Sequence, residues 1–98
     1  MYARVTMGQV RPGAIEMGGK VWDEAAMPAL REVEGFRGVT FLGDRTSNEV
    51  LVMILFESKE ASDAYGESRA RDRVLEIGRD FFMGFPTIKD YEVLFHSE

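Results

Sequence analysis

The stretch Val50-Leu51-Val52-Met53-Ile54-Leu55-Phe56, flanked by Glu49 and Glu57, is apolar at every position. Seven residues are short for a soluble helix, and Val50, Val52 and Ile54 are β-branched, so the pattern predicts a strand. Side chains alternate along a strand. Val50, Val52, Ile54 and Phe56 therefore share one face, and Leu51, Met53 and Leu55 the other. Both faces need cover. The helices of a 98-residue chain can cover one, and a second copy of the protein is expected over the other.

Working outward, Phe36 to Gly43 reads as a strand with Val39 and Phe41 on one face and Thr40 and Leu42 on the other. The polar, turn-prone Asp44-Arg45-Thr46-Ser47-Asn48 joins it to the apolar strand as a hairpin with a flexible loop. Upstream, Tyr2 to Val10 is a first strand with Ala3, Val5 and Met7 on one face and Arg4, Thr6 and Gly8 on the other. Arg11-Pro12-Gly13 turns into a helix expected from about Ala14 to Val33, with Ile15, Trp22, Ala26, Ala29 or Leu30, and Val33 as its apolar stripe. Gly18 and Gly19 weaken that helix, which points to close approach of its backbone to the sheet. Pro28 cannot donate to the Glu24 carbonyl, so a kink or restart is expected there. Gly35 suits a left-handed cap.

Downstream, Ser58 is the expected N-cap of a second helix carrying Ala61, Ala64 and Tyr65. A break near Ser68-Arg69 precedes renewed helical pattern through Val74, Leu75, Gly78, Phe81 and Phe82, terminated by Met83-Gly84-Phe85-Pro86. Ile88 to His96 is the last strand. Tyr91, Val93 and Phe95 share one of its faces, Asp90, Glu92 and Leu94 the other. The order βαββαβ gives an α+β, ferredoxin-like plait, in which an antiparallel four-stranded sheet carries two helices on one face. Residues 1–98 form one domain. The open face is expected to hold Leu42, Leu51, Met53, Leu55 and Leu94, mixed with Arg4, Thr6, Thr40, Asp90 and Glu92. It is too apolar to stay wet, so a homodimer through Leu51, Met53 and Leu55 is expected.

Composition narrows the chemistry. There is no cysteine, which excludes disulfides, thiolate metal sites and thiol nucleophiles. The formal charge of -5 and the interleaving of Arg69, Arg71 and Arg73 with Glu67, Asp72 and Glu76 argue against nucleic acid as a partner. No run approaches the roughly 18 apolar residues of a membrane span. Met1-Tyr2-Ala3-Arg4-Val5 lacks the layout of a signal peptide, so a cytoplasmic protein is expected. Gly13 to Lys20 looks superficially like a phosphate loop, but Gly19 and Val21 break the required spacing. His96 is the only histidine and lies near the end of the sequence, so it reads as a surface residue. No spacing of acids or histidine suggests a metal site, and no cofactor is expected. Trp22, Phe56, Tyr65, Phe81 and Phe82 approach the gap between helices and sheet. They either fill a core or line a pocket for a flat organic ligand, with Tyr65 and an arginine as polar contacts.

Four pieces of the chain carry a family resemblance. They are Arg11-Pro12-Gly13; Pro28-Ala29-Leu30-Arg31 leading to Glu34-Gly35-Phe36-Arg37-Gly38; Phe56-Glu57-Ser58-Lys59-Glu60-Ala61 with Tyr65 beyond; and Tyr91-Glu92-Val93. Together they span nearly the whole sequence. In them the chain resembles the antibiotic biosynthesis monooxygenase (ABM) domain family, within the dimeric α/β-barrel superfamily. The resemblance implies a homodimer with facing sheets and a ligand cavity between helices and sheet. Some members oxidise aromatic polyketides or quinols with O2 and no metal or flavin, the substrate phenolate supplying the electrons. That implies Tyr65 and Arg71 as catalytic residues, the latter stabilising a phenolate, with Trp22, Phe56 and Phe82 as substrate-binding walls around a small aromatic ligand. Other members degrade haem with an Asn, a Trp and a His. Here Thr6 and Tyr65 fall near the Asn and Trp positions, Phe56 replaces a strand tryptophan, and Asp72-Arg73-Val74-Leu75 contains no histidine, which disfavours that chemistry. The alternative is a non-enzymatic, dimeric small-molecule-binding or stress-associated module.

Overall fold

In the computed structural model, which describes residues 1–97, four strands and a layer of helices follow in the order expected. Strand β1 is Tyr2–Val10, β2 Phe36–Asp44, β3 Glu49–Phe56 and β4 Phe82–Glu92; the helices are α1 Ala14–Val21, α2 Met27–Leu30, α3 Lys59–Gly66 and α4 Arg69–Phe81. The sheet is antiparallel with strand order β2-β3-β1-β4. Strand β3 is the hub. Its Val50, Val52, Ile54 and Phe56 are buried under the helices, while Leu51, Met53 and Leu55 are half-buried on the open face. Among the described residues no helix is long and apolar enough to cross a membrane.

The break expected at Pro28 is a π-helical segment, Trp22–Ala26, joining α1 to α2. The Met27 N–H bonds the Trp22 carbonyl, one residue further back than in an α-helix, and the chain restarts with Pro28 in the first turn of α2, where no donor is needed. Helical structure ends at Leu30 rather than Val33. Residues 31–35 tighten into turns that close on Gly35 at φ 83°. Ser58 caps α3 by accepting from the Ala61 N–H at 3.1 Å, and Ser68 caps α4 by accepting from the Arg71 N–H at 3.2 Å. The loop expected to be flexible is closed by the Asp44 carboxylate, which accepts from the Thr46 and Ser47 N–H groups.

Two expectations fail in the flanking strands. In β1 the faces are reversed. Arg4 pairs with Ile54 and Thr6 with Val52, so both point toward the helices, while Ala3, Val5 and Met7 pair with Leu55, Met53 and Leu51 on the open face. Asp90 and Glu92 follow Arg4 and Tyr2 to the helix side. The physical reason is that the helix side of β1 faces a cavity and not a filled core. Strand β4 also starts six residues early and stops short of His96. Met83-Gly84-Phe85-Pro86 does not end in a turn. It is a bulged opening of the strand, with a register shift opposite Met7 and Gln9 and Gly84 at φ 78°. Pro86 is tolerated because β4 is an edge. Leu94 lies beyond the sheet, 86% exposed. The open face is consequently more apolar than the sequence suggested.

The main core joins Trp22, Ala26 and Leu30 to Val52, Ile54, Phe56, Tyr65 and Val74. The close helix–sheet approach anticipated at the paired glycines is real at one of them. A Cβ on Gly18 would lie 2.6 Å from the Phe41 ring and 2.8 Å from that of Phe81, whereas one on Gly19 would meet nothing within 4 Å. Opposite outcomes are expected in thermal denaturation. Gly18→Ala overpacks the site and costs about 1–3 kcal/mol. Gly19→Ala gains up to about 1 kcal/mol from helix propensity.

Candidate functional site

The reversed facing of β1 opens a cavity of about 540 Å³ between the helices and the β1–β4 half of the sheet, within the range of small-molecule sites. Each wall has a local cause. The Ser68 hydroxyl donates to the Tyr65 carbonyl at 2.7 Å while its oxygen caps α4, so the α3–α4 corner fixes Tyr65 beside Arg71. The helical period of α4 then presents Val74, Leu75 and Gly78 along one side. The π-helical turn presents Trp22, and the bulged start of β4 supplies Phe82, Phe85 and Pro86 at the far end.

The polar groups concentrate at the Tyr65 end. The Arg4 guanidinium donates from Nε to Asp90 Oδ1 at 2.9 Å, and its Cζ sits 5.2 Å from the Tyr65 ring centroid in a cation–π arrangement. Tyr65 is 2% exposed, and burial pushes its hydroxyl up to about 12, against the opposing fields of Arg4 and Arg71. At neutral pH the hydroxyl is therefore protonated and available as a donor. Among the described residues the lining contains Arg4, Arg71 and Arg79 but no carboxylate and no histidine. Chemically, the site can hold and stabilise an anion; it offers no side chain suited to accept a proton at neutral pH.

Of the residues singled out in the sequence, Tyr65, Arg71, Trp22 and Phe82 meet at this cavity. Phe56 does not line it. Fully buried, it packs behind Tyr65 with ring centroids 5.1 Å apart. Arg4 and Thr6 were expected on the open face, and Arg79 was not singled out. The signal for the first two was present: Ala3, Val5 and Met7 match the apolar Leu51, Met53 and Leu55, leaving Arg4 and Thr6 to the helix side. His96 lies outside β4 and is exposed.

A four-stranded plait with an apolar, arginine-edged cavity beneath its helices is an α+β, ferredoxin-like architecture. The chain belongs to the antibiotic biosynthesis monooxygenase family, whose sequence profile matches residues 1–76. A curated relative, the uncharacterized protein Rv2557 of Mycobacterium tuberculosis, is 33% identical over 95 residues, which is 95% of this chain and 41% of the relative. The chain thus spans less than half the length of the curated relatives it matches. Among solved structures, the haem degrader MhuD of M. tuberculosis, determined with two haems in its active site, superposes with a TM-score of 0.76 at 20% identity over all of both chains. The ActVA-Orf6 monooxygenase of Streptomyces coelicolor, bound to nanaomycin D, gives 0.73 at 18% identity, covering 98% of this chain and 92% of that one. These likenesses establish the shared fold.

Proposed function

We propose that the protein is a homodimeric monooxygenase that oxidises a small phenolic or quinol aromatic with O2, without metal or flavin. The observation that carries this reading is the pairing of apolar walls with Arg4, Arg71 and a neutral Tyr65 at one end of the cavity. Trp22 walls the ring, Phe82 closes the far end of the cavity, and Phe56 braces Tyr65 from behind. The Arg71 guanidinium stabilises the substrate phenolate, and the Tyr65 hydroxyl donates to it, so ionisation is favoured by charge complementarity and the proton leaves to solvent. The electron-rich phenolate then reduces O2. One oxygen atom forms a new carbonyl on the ring and the other leaves as water, so a phenol and O2 give a quinone and water, with all four electrons drawn from the substrate. The second copy covers the open face of the sheet through Leu51, Met53 and Leu55.

The test is anaerobic incubation with a panel of phenols and hydroquinones, followed by isotopically labelled O2. Oxygen uptake above the buffer rate, with one labelled atom in the product, is expected for at least one member. Uptake no faster than in buffer for every member removes the reading. The lack of a proton-accepting side chain in the lining favours a second reading, a dimeric binding module without turnover. Saturable binding with no oxygen uptake would identify it. The lining offers no histidine to ligate haem, so haem degradation is not favoured.

A further inference from the structure

The far end of the cavity owes its shape to a residue that does not line it. Gly8 lies within β1, paired with Val50 of β3, where the register between β1 and β4 shifts from Met7 to Gln9. The glycines with positive φ are Gly13, Gly35, Gly38 and Gly84, so the backbone at Gly8 is open to an ordinary side chain. Space is what forbids one. A Cβ on Gly8 would lie 2.7 Å from Phe82 Cδ1, 3.0 Å from its Cε1 and 3.3 Å from Pro86 Cβ. Non-bonded carbons settle at about 3.5–4.0 Å, so the Phe82 ring would have to withdraw by about 1 Å. A glycine inside a strand marks this kind of close approach.

The ring has one direction in which to yield. Gly8 meets its Cδ1–Cε1 edge, and Gly78 of α4 faces the opposite, Cδ2–Cε2 edge. Val10, Val50 and Phe81 pack around the same ring, Phe81 edge-on at 5.4 Å. Even a Cβ on Gly78 would stand 3.7 Å from Cδ2 and Cε2, so the bare backbone leaves a gap there. Gly78 lines the cavity, as Phe82 does, and the gap is cavity space. A side chain at position 8 therefore drives Phe82 toward α4 and shortens the cavity. We infer that Gly8 is a positioning residue that sets the length of the cavity: without a Cβ it seats Phe82 against β1 and leaves the far end open. This rests on the cavity reading proposed above and adds the residue that decides the longest ligand admitted. Arg4 and Thr6, its neighbours on the helix side of β1, border the cavity directly, whereas Gly8 acts only through the Phe82 ring.

The test is calorimetric titration of the protein, without oxygen, with para-alkylphenols from methyl to hexyl, whose hydroxyl goes to Tyr65 and Arg71 and whose chain points toward Phe82. Affinity is expected to climb about fourfold per methylene until the chain meets Phe82, and then to level. Gly8→Ala should bring the levelling about one methylene earlier, the length matching the displacement of the ring, and leave the shortest members unchanged. The longest chain that fits the unaltered protein should then bind about fourfold more weakly. Phe82→Ala should move the levelling to longer chains, and adding Gly8→Ala to it should change nothing further. A merely structural defect would weaken every member alike and leave the levelling point in place. The Phe82→Ala pair decides even where Gly8→Ala alone does not fold. A levelling point unmoved by either substitution, a Gly8→Ala shift of equal size with and without the Phe82 ring, or no saturable binding of any member overturns the inference. Binding is read without turnover. A shifted levelling point with no oxygen uptake from any phenol removes only the oxidation; uptake with an unmoved levelling point removes only the role of Gly8.

Discussion

Met53→Asp is expected to turn a dimer of twice the 11.1 kDa chain mass into monomers or aggregates in sedimentation experiments. Met53 lies on the open face of β3, between Val5 of β1 and Thr40 of β2. With Val5, Met7, Leu42, Leu51 and Leu55 it forms an apolar surface that a protein in water rarely leaves uncovered. A carboxylate at its centre would have to be desolvated without a partner, which costs several kcal/mol per copy and is felt twice in a symmetric interface. Met17→Asp, on an exposed residue of α1, controls for the added charge and should leave the assembly intact. A stable, non-aggregating monomer of the unaltered protein would refute the dimer outright.

Phe56→Ala is the substitution expected to cost most in stability. Phe56 is fully buried where β3 meets α3, and its ring backs that of Tyr65. Removing it leaves a cavity and should cost about 3–5 kcal/mol in denaturant unfolding, or on the order of 20 °C in thermal midpoint. Phe56→Leu, which keeps most of the volume, should cost no more than about 1.5 kcal/mol. Because Phe56 touches Tyr65 and not the cavity, any weakening of ligand binding should follow packing and be largely restored by leucine. A loss below about 1 kcal/mol for alanine would contradict the tight packing.

The alternation in β3 disclosed the centre of the fold, because both of its faces are apolar and either assignment buries them. The helix cap at Ser58, the break near Ser68 and the left-handed Gly35 were legible for a different reason: each is a local solution to unpaired backbone groups, independent of distant contacts. Strand β1 was not legible in the same way. Its sequence separates Ala3, Val5 and Met7 from Arg4 and Thr6, but only pairing with β3 says which set lies inside. The usual preference for apolar residues beneath helices gave the wrong answer because a hollow lies there. The same inversion hid Arg4 and Thr6 from the site, whereas Tyr65, Trp22, Arg71 and Phe82 followed from helical spacing and aromatic content. The start of β4 was obscured because Gly84 and Pro86 read as a stop when the bulge at the sheet edge absorbs both.

That bulge also bears on how far assembly proceeds. The rim formed by β4 is interrupted by Gly84 and by Pro86, which has no N–H to offer, and the rim formed by β2 is broken by the irregularity at Gly38. Neither rim presents a regular row of donors and acceptors on which a foreign strand could template itself. In the proposed dimer, an apolar broadside combined with blunted rims confines association to the flat of the sheet, where one neighbour saturates the surface, and disfavours open-ended polymerisation.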